Sequence, residues 1–83
     1  MNVTIKYFAS IREAIGQGGE QRDTSALTLA DLRDELLTAS PAHADSLARG
    51  KAVRMALNQV MLDETALLTE GCEVAFFPPV TGG

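Results

Sequence analysis

The sequence predicts an α+β domain, a mixed sheet of four to five strands packed on one main helix. Three observations predict it. The two most apolar alternating stretches, residues 3–9 and 72–77, stand near opposite ends of the chain and read as strands. Between them, Leu29, Leu32, Leu36 and Leu37 recur at helical spacing and give one helix a single apolar stripe. A chain of 83 residues makes one domain. At that length it buries only a little over ~60% of its unfolded surface, leaving room for one sheet but little for an enclosed active site. One sheet folded on one helix is the simplest two-layer solution, with the first and last strands as central, parallel neighbours.

In residues 3–9, Val3, Ile5 and Tyr7 point to one face while Thr4, Lys6 and Phe8 point to the other. Phe8 thus stands on a mostly polar face, where an aromatic needs a reason. Ser10 is placed to cap a short helical turn over residues 11–15, ending at Gly16. The stretch Gly16-Gln17-Gly18-Gly19 lacks a lysine at Walker spacing and reads as a turn, not a phosphate cradle. Residues 20–25 follow as a polar strand at a sheet edge.

Thr28 reads as a helix N-cap, Asp31 completes a shortened capping box, and Leu27 and Leu32 are spaced as a hydrophobic staple. Asp31, Asp34 and Glu35 fall away from the apolar stripe. They read as a solvated face whose charge opposes the helix dipole, not as an acid–base pair. Pro41 is expected to end this helix. Residues 42–50 read as a second short helix around Leu47. His43 there has no companion histidine or second cysteine, so no metal site is expected. Residues 54–58 read as a central strand, Asn58-Gln59 as a turn, and residues 60–62 as a brief return strand. Residues 67–71 deliver the last strand, on which Cys72, Val74 and Phe76 share one face and Glu73, Ala75 and Phe77 the other. Glu73 marks the second face as wet, so Phe77 is expected to be partly exposed. Cys72 reads as a small core residue, because no base is placed near it.

Hydrophobic residues make up 46% of the chain and charged residues 22%, ordinary for a globular domain. A net charge of −4 argues against nucleic acid or an anionic membrane as partner, and suits docking on basic surfaces of other proteins. No apolar run approaches membrane-spanning length. The start lacks a charged segment followed by a long apolar core, so no signal peptide is expected. Cys72, the single cysteine, excludes an internal disulfide and suits a reducing cytosol, so the expected location is cytoplasmic.

The most distinctive stretch is the block Phe76-Phe77-Pro78-Pro79-Val80-Thr81-Gly82-Gly83. Its prolines have no backbone N–H, so they take the chain out of the sheet and stiffen the exit towards polyproline II. Residues 1–79 are expected to form the folded domain and residues 80–83 a flexible reactive tail. Such a tail reaches roughly 13 Å at ~3.3 Å per residue. Without Cβ atoms, Gly82 and Gly83 pass a slot too narrow for other residues, and the Gly83 carboxylate sits at the tip.

With this block in place the chain resembles the small, sulfur-carrier subunits of molybdopterin synthase, members of the ubiquitin-like sulfur-carrier family. The resemblance spans nearly the whole length. It is carried by Phe8-Ala9 with Arg12-Glu13, by Asn58-Gln59, and above all by Gly71 followed by residues 73–83. It departs at Cys72, where aspartate is usual, and matches poorly over residues 38–51. The fold it implies is the β-grasp, or ubiquitin-like, fold. It further implies that an ATP-dependent adenylyltransferase adenylates Gly83 and that a sulfur donor displaces AMP to leave a thiocarboxylate there. Val80, Thr81, Gly82 and Gly83 then insert into the large catalytic subunit, where sulfur passes to a cyclic pyranopterin precursor. The family suggests a heterotetramer of two small and two large subunits. The small subunit is expected to bind no metal or organic cofactor, the ATP being used by the activating enzyme. It supplies no general acid or base; its contribution is the effective concentration of a tethered reactant.

Docking needs a surface as well as a tail. Phe77, Phe8 on the neighbouring first strand and Met61 on the return strand are expected to form one apolar patch, with Pro78 and Pro79 beside it. Sulfur carriers for thiamine synthesis and ubiquitin-like protein modifiers share the Gly-Gly end, and a non-covalent binding module is a further alternative. The Phe-Phe-Pro-Pro block is what favours molybdopterin.

Overall fold

The structure, a computed structural model, describes residues 1–79; residues 80–83, on which the expected reactive tail falls, lie outside the described residues. In chain order the elements are β1 (Asn2–Tyr7), α1 (Ala9–Ile15), β2 (Gly19–Asp23), α2 (Leu29–Leu37), α3 (Pro41–Ser46), β3 (Arg54–Leu57), β4 (Val60–Met61) and β5 (Glu73–Phe77). The strands form one five-stranded sheet in the order β2-β1-β5-β3-β4. β1 and β5 run parallel at its centre, with Ile5 opposite Val74 and Tyr7 opposite Phe76. All other neighbours are antiparallel. A parallel pair needs a long crossover, and here everything between β1 and β5 supplies it. Val3, Ile5, Tyr7, Val74 and Phe76 face inward against Leu29, Leu32, Leu36 and Leu47, and all nine are at most 1% exposed. This is the mixed β-grasp sheet, with its two most apolar strands in the middle and the polar β2 at an edge.

Local chemistry sets the ends of α1. Its N-cap is the extended Phe8, whose carbonyl accepts from the Ile11 and Arg12 N–H groups, while Ser10 lies inside the helix and caps nothing. The helix stops at Gly16 with φ 89°, a left-handed backbone that glycine adopts without a Cβ clash. Gly19 answers a different need: a Cβ there would lie 2.6 Å from the Ile5 carbonyl oxygen. The glycine run is therefore a turn that lets β2 close on β1.

α2 starts as its sequence indicates. Thr28 Oγ1 accepts from the Asp31 N–H at 3.1 Å, and the Asp31 carboxylate accepts from the Leu27 N–H at 3.3 Å. The staple does not form: Leu32 is fully buried but Leu27 is 64% exposed. The Leu27 carbonyl instead accepts from the Leu68 N–H, which ties this turn to the segment before β5. Glu35 is not on a solvated face; it turns to the edge strand, accepting from Arg22 and from Thr24 Oγ1. Pro41 does not end α2, which stops at Leu37, but opens α3 as its first residue. Ser40 caps that helix by accepting from the His43 N–H at 3.1 Å. α3 is also shorter than expected, ending at Ser46 with Leu47 buried just beyond it. Asn58 and Gln59 both take positive φ, 49° and 69°, the mirror-image turn that suits a two-residue hairpin between β3 and β4.

Two polar clusters hold the periphery. Arg33, 3% exposed, follows Leu29 by four residues and so lies on the buried side of α2. Its guanidinium donates to the carbonyls of Leu47 at 2.8 Å, Ala48 at 2.7 Å and Lys51 at 3.0 Å, and to Glu64 at 2.9 Å. It thereby organises the chain after α3. At the other end, Tyr7 Oη donates to Glu20 at 2.8 Å and His43 Nε2 lies 3.1 Å from the same carboxylate. Burial opposes ionisation of Glu20, but hydrogen bonds from His43 and Tyr7 outweigh it and hold the carboxyl below its usual range.

Candidate docking site at the exit of the last strand

The parallel register of β1 and β5 continues one residue past Tyr7 and Phe76. The Phe8 N–H donates to the Phe76 carbonyl at 3.2 Å. Since Tyr7 and Phe76 face the core, alternation turns Phe8 and Phe77 together onto the outer face. Their rings stack with centroids 4.6 Å apart and planes 9° apart. Directly after Phe8 the backbone swings into α1 through Ala9, a non-glycine residue at φ 51°. That left-handed conformation is costly for any residue with a Cβ, so the surrounding structure holds it there.

On the other flank, Met61 pairs with Ala56, which pairs with Ala75 on β5, so small residues floor the sheet between Met61 and the aromatic stack. Phe8 is 39% and Met61 48% exposed, and Phe77 is half-buried, so all three reach the surface. Phe8, Ala9, Met61, Phe77 and Pro78 line one concave cavity of about 320 Å³ with Arg54, the register partner of Phe77. Arg54 makes no ion pair among the described residues, so the rim carries an uncompensated cation. Pro79 lies elsewhere: with Pro78 it lines a second cavity, of about 510 Å³, on the helix side. The structure thus gathers Phe8, Met61, Phe77 and Pro78 in one hollow and sets Pro79 behind it. Val80, Thr81, Gly82 and Gly83 lie outside the described residues.

The hollow offers apolar contact and one cation, and among the described residues no acid, base or nucleophile lines it. Cys72 is buried in the core at 3% exposure, remote from solvent. Among the described residues no group of His, Cys, Asp or Glu side chains is arranged to hold a metal ion, and no helix is long and apolar enough to cross a membrane. Sequence reasoning missed Arg54 and Ala9 at this site. The opposition of Arg54 to Phe77 depends on the antiparallel register of β3, which no local pattern encodes.

Comparisons with known proteins fit this geometry. The chain is 37% identical over 81 residues to the molybdopterin synthase sulfur carrier subunit of Escherichia coli, spanning 98% of this chain and 99% of that one. Its structure superposes on the crystal structure of SAMP1 from Haloferax volcanii with a TM-score of 0.80 at 26% identity, covering 100% of both chains. It matches a chain of the protein–protein complex of subunits 1 and 2 of molybdopterin-converting factor from Helicobacter pylori with a TM-score of 0.70 at 25% identity, again over 100% of both. A family model matches residues 5–83, nearly the full length, and the chain belongs to the ThiS family.

Proposed function

We propose that this chain is a sulfur carrier for molybdopterin synthesis, the non-catalytic small subunit of a molybdopterin synthase, acting through Gly83. The observation that carries the reading is the stacked Phe8–Phe77 pair with Met61, an exposed apolar hollow at the point where β5 hands over to residues 80–83. The relatives named as sulfur carrier subunits and the neighbour in complex with its subunit 2 support it. A hollow of this kind is a docking surface with aromatic anchors, and the partner it serves is a large catalytic subunit.

The chemistry follows from the weakness of a carboxylate as an electrophile. An ATP-dependent adenylyltransferase docks on the same hollow, and a Gly83 oxygen attacks the α-phosphorus of ATP, expelling pyrophosphate. A sulfur donor then attacks the acyl carbon and expels AMP, leaving a thiocarboxylate. Inside the large subunit that sulfur attacks a carbon of the pyranopterin precursor and displaces an oxygen leaving group; water then cleaves the acyl–sulfur bond, leaving the sulfur on the precursor and regenerating the carboxylate. ATP is consumed by the activating enzyme, and this chain holds no cofactor of its own. Its part is positional, delivering a tethered nucleophile as Val80, Thr81, Gly82 and Gly83. The working assembly is two small and two large subunits in the cytoplasm.

A second reading, protein modification through the same glycine, draws on the likeness to a small archaeal modifier protein. Capture from cell extract with an N-terminally tagged chain separates the two. The carrier reading expects the large subunit of molybdopterin synthase in the eluate. Covalent conjugates on lysines of many proteins, without that subunit, would overturn it.

A further inference from the structure

We propose that Arg54 is a specificity residue of the hollow, pairing with a carboxylate that the large subunit sets beside an apolar side chain. The assignment rests on the carrier reading and names the chemistry the large subunit brings to that reading's docking site.

Positive charge is distributed unevenly over this chain. Of its seven Lys and Arg residues, Lys6, Arg22, Arg33 and Arg49 are each held by a carboxylate. Arg12, Lys51 and Arg54 are exposed and make no ion pair among the described residues. All three stand near the exit of β5: Arg12 shares a cavity with Phe8, Lys51 one with Pro78 and Pro79, and Arg54 the hollow with Phe77. Two of these cavities also hold acids, Glu20 with Arg12 and Asp45 with Lys51. The hollow of Arg54 holds none. On its other side Arg54 shares a cavity with Asp63 and Glu64, and both are engaged elsewhere. Asp63 accepts from the Thr65 N–H and hydroxyl, and Glu64 pairs with Arg33 and Arg49.

Desolvation identifies the occupant. Arg54 lies opposite Phe77 in the sheet, so a partner that covers the Phe77 ring also takes water from the guanidinium. The side chains around it, Phe8, Ala9, Met61, Phe77 and Pro78, offer no acceptor in return. A charge buried without a counter-charge is costly, so the covering surface must bring an anion of its own. A carboxylate suits the planar fork of arginine, which meets it with two parallel hydrogen bonds. The net charge of −4 taken alone favours a basic partner surface. At the hollow the local charge reverses that preference, and a partner basic throughout is rejected there.

Variants of the full chain test this by calorimetric titration with purified large subunit at low and high salt, beside thermal melting. Arg54→Met keeps an apolar stem and strands the partner's carboxylate. It is expected to bind roughly tenfold more weakly, with an unchanged melting temperature and a flatter dependence on salt. Arg54→Glu sets like charges together and is expected to lose roughly a hundredfold. Arg54→Lys, a point charge without the fork, is expected to fall between wild type and Arg54→Met. Affinity in Arg54→Glu equal to or above the wild type's, with Phe77→Ala still weakened, overturns the pairing and leaves the carrier reading standing. A loss in Arg54→Glu seen with the activating enzyme but absent with the large subunit overturns the assigned occupant. Wild-type affinity in Phe77→Ala itself overturns the docking reading beneath it.

Discussion

Phe8 and Phe77 stack face to face at 4.6 Å on the outer side of a sheet whose inner side holds their immediate neighbours Tyr7 and Phe76, themselves stacked at 6.2 Å. One parallel register produces both pairs. The inner pair belongs to the core; the outer pair has no covering layer among the described residues and sits directly before the proline exit. Core and exposed aromatic hollow are thus two faces of the same two strands.

Phe77→Ala is expected to separate binding from folding. Removing a half-buried ring and its stacking contact with Phe8 costs the fold about 1 kcal/mol. Loss of an interface anchor costs binding about 2 kcal/mol or more, some thirtyfold in affinity. The check is affinity for both the large subunit and the activating enzyme, measured beside the melting temperature. Unchanged affinity for the large subunit removes Phe77 from the interface.

Arg33→Ala is expected to be the reverse case. Truncation strands the carbonyls of Leu47, Ala48 and Lys51 and leaves Glu64 with Arg49 alone. The cost of breaking such a buried charged cluster is about 3 kcal/mol, a fall in melting temperature on the order of 10–20 °C for a domain of this size. Arg33→Lys recovers little, because an ammonium cannot fork to three carbonyls. Urea titration reads it, and a midpoint like the wild type's would show that the segment after α3 holds itself.

Acid is expected to loosen the edge strand. Burial opposes ionisation of Glu35, yet Arg22 and Thr24 hydrogen bonds hold its carboxyl below the usual range, and Glu20 is depressed likewise by His43 and Tyr7. Both pKa values are lower folded than unfolded. The stability they contribute is therefore complete above the unfolded range and is lost as pH falls through the folded values. Melting temperature should be flat near neutrality and drop below about pH 4.5. In Glu35→Gln the neutral plateau should be lower and the acid slope shallower; parallel profiles for the two proteins would contradict the assignment.

Much of this was legible in the sequence because it rests on short-range patterns. Alternation alone put Val3, Ile5 and Tyr7 inside and Phe8 outside, and Thr28 with Asp31 marked the start of α2. Asn58-Gln59 marked the hairpin, and the apolar patch followed once Phe8 and Phe77 were assigned to outward faces and Met61 to the return strand. What escaped depends on contacts distant in sequence. Leu27 meets the spacing of a staple, but its backbone is claimed by Leu68 and its side chain is left in solvent. Glu35 reads as a surface acid until β2 brings Arg22 and Thr24 beside it. Pro41 has two local meanings, helix stop and first helical residue, and Ser40 as a cap decides for the second. Arg33 shared the spacing of the buried stripe, but its partners come from a segment with no periodic pattern.

Extending the chain by one residue beyond Gly83 is expected to abolish sulfur transfer while leaving melting temperature and Phe77-dependent docking intact. An added residue moves the reactive acyl group and places a side chain where the slot admits none. Reconstituted pyranopterin conversion with the large subunit reads the loss. Full activity in the extended chain would mean that Gly83 is not the reacting end.

The most direct measurement is the intact mass of the chain isolated from cells under sulfur-replete conditions, with fragmentation to place any change. A sulfur carrier is expected to show a population in which one oxygen at Gly83 is replaced by sulfur, and to lose it when the activating enzyme is removed. A chain that carries only oxygen at that position, in cells actively making the cofactor, would contradict it.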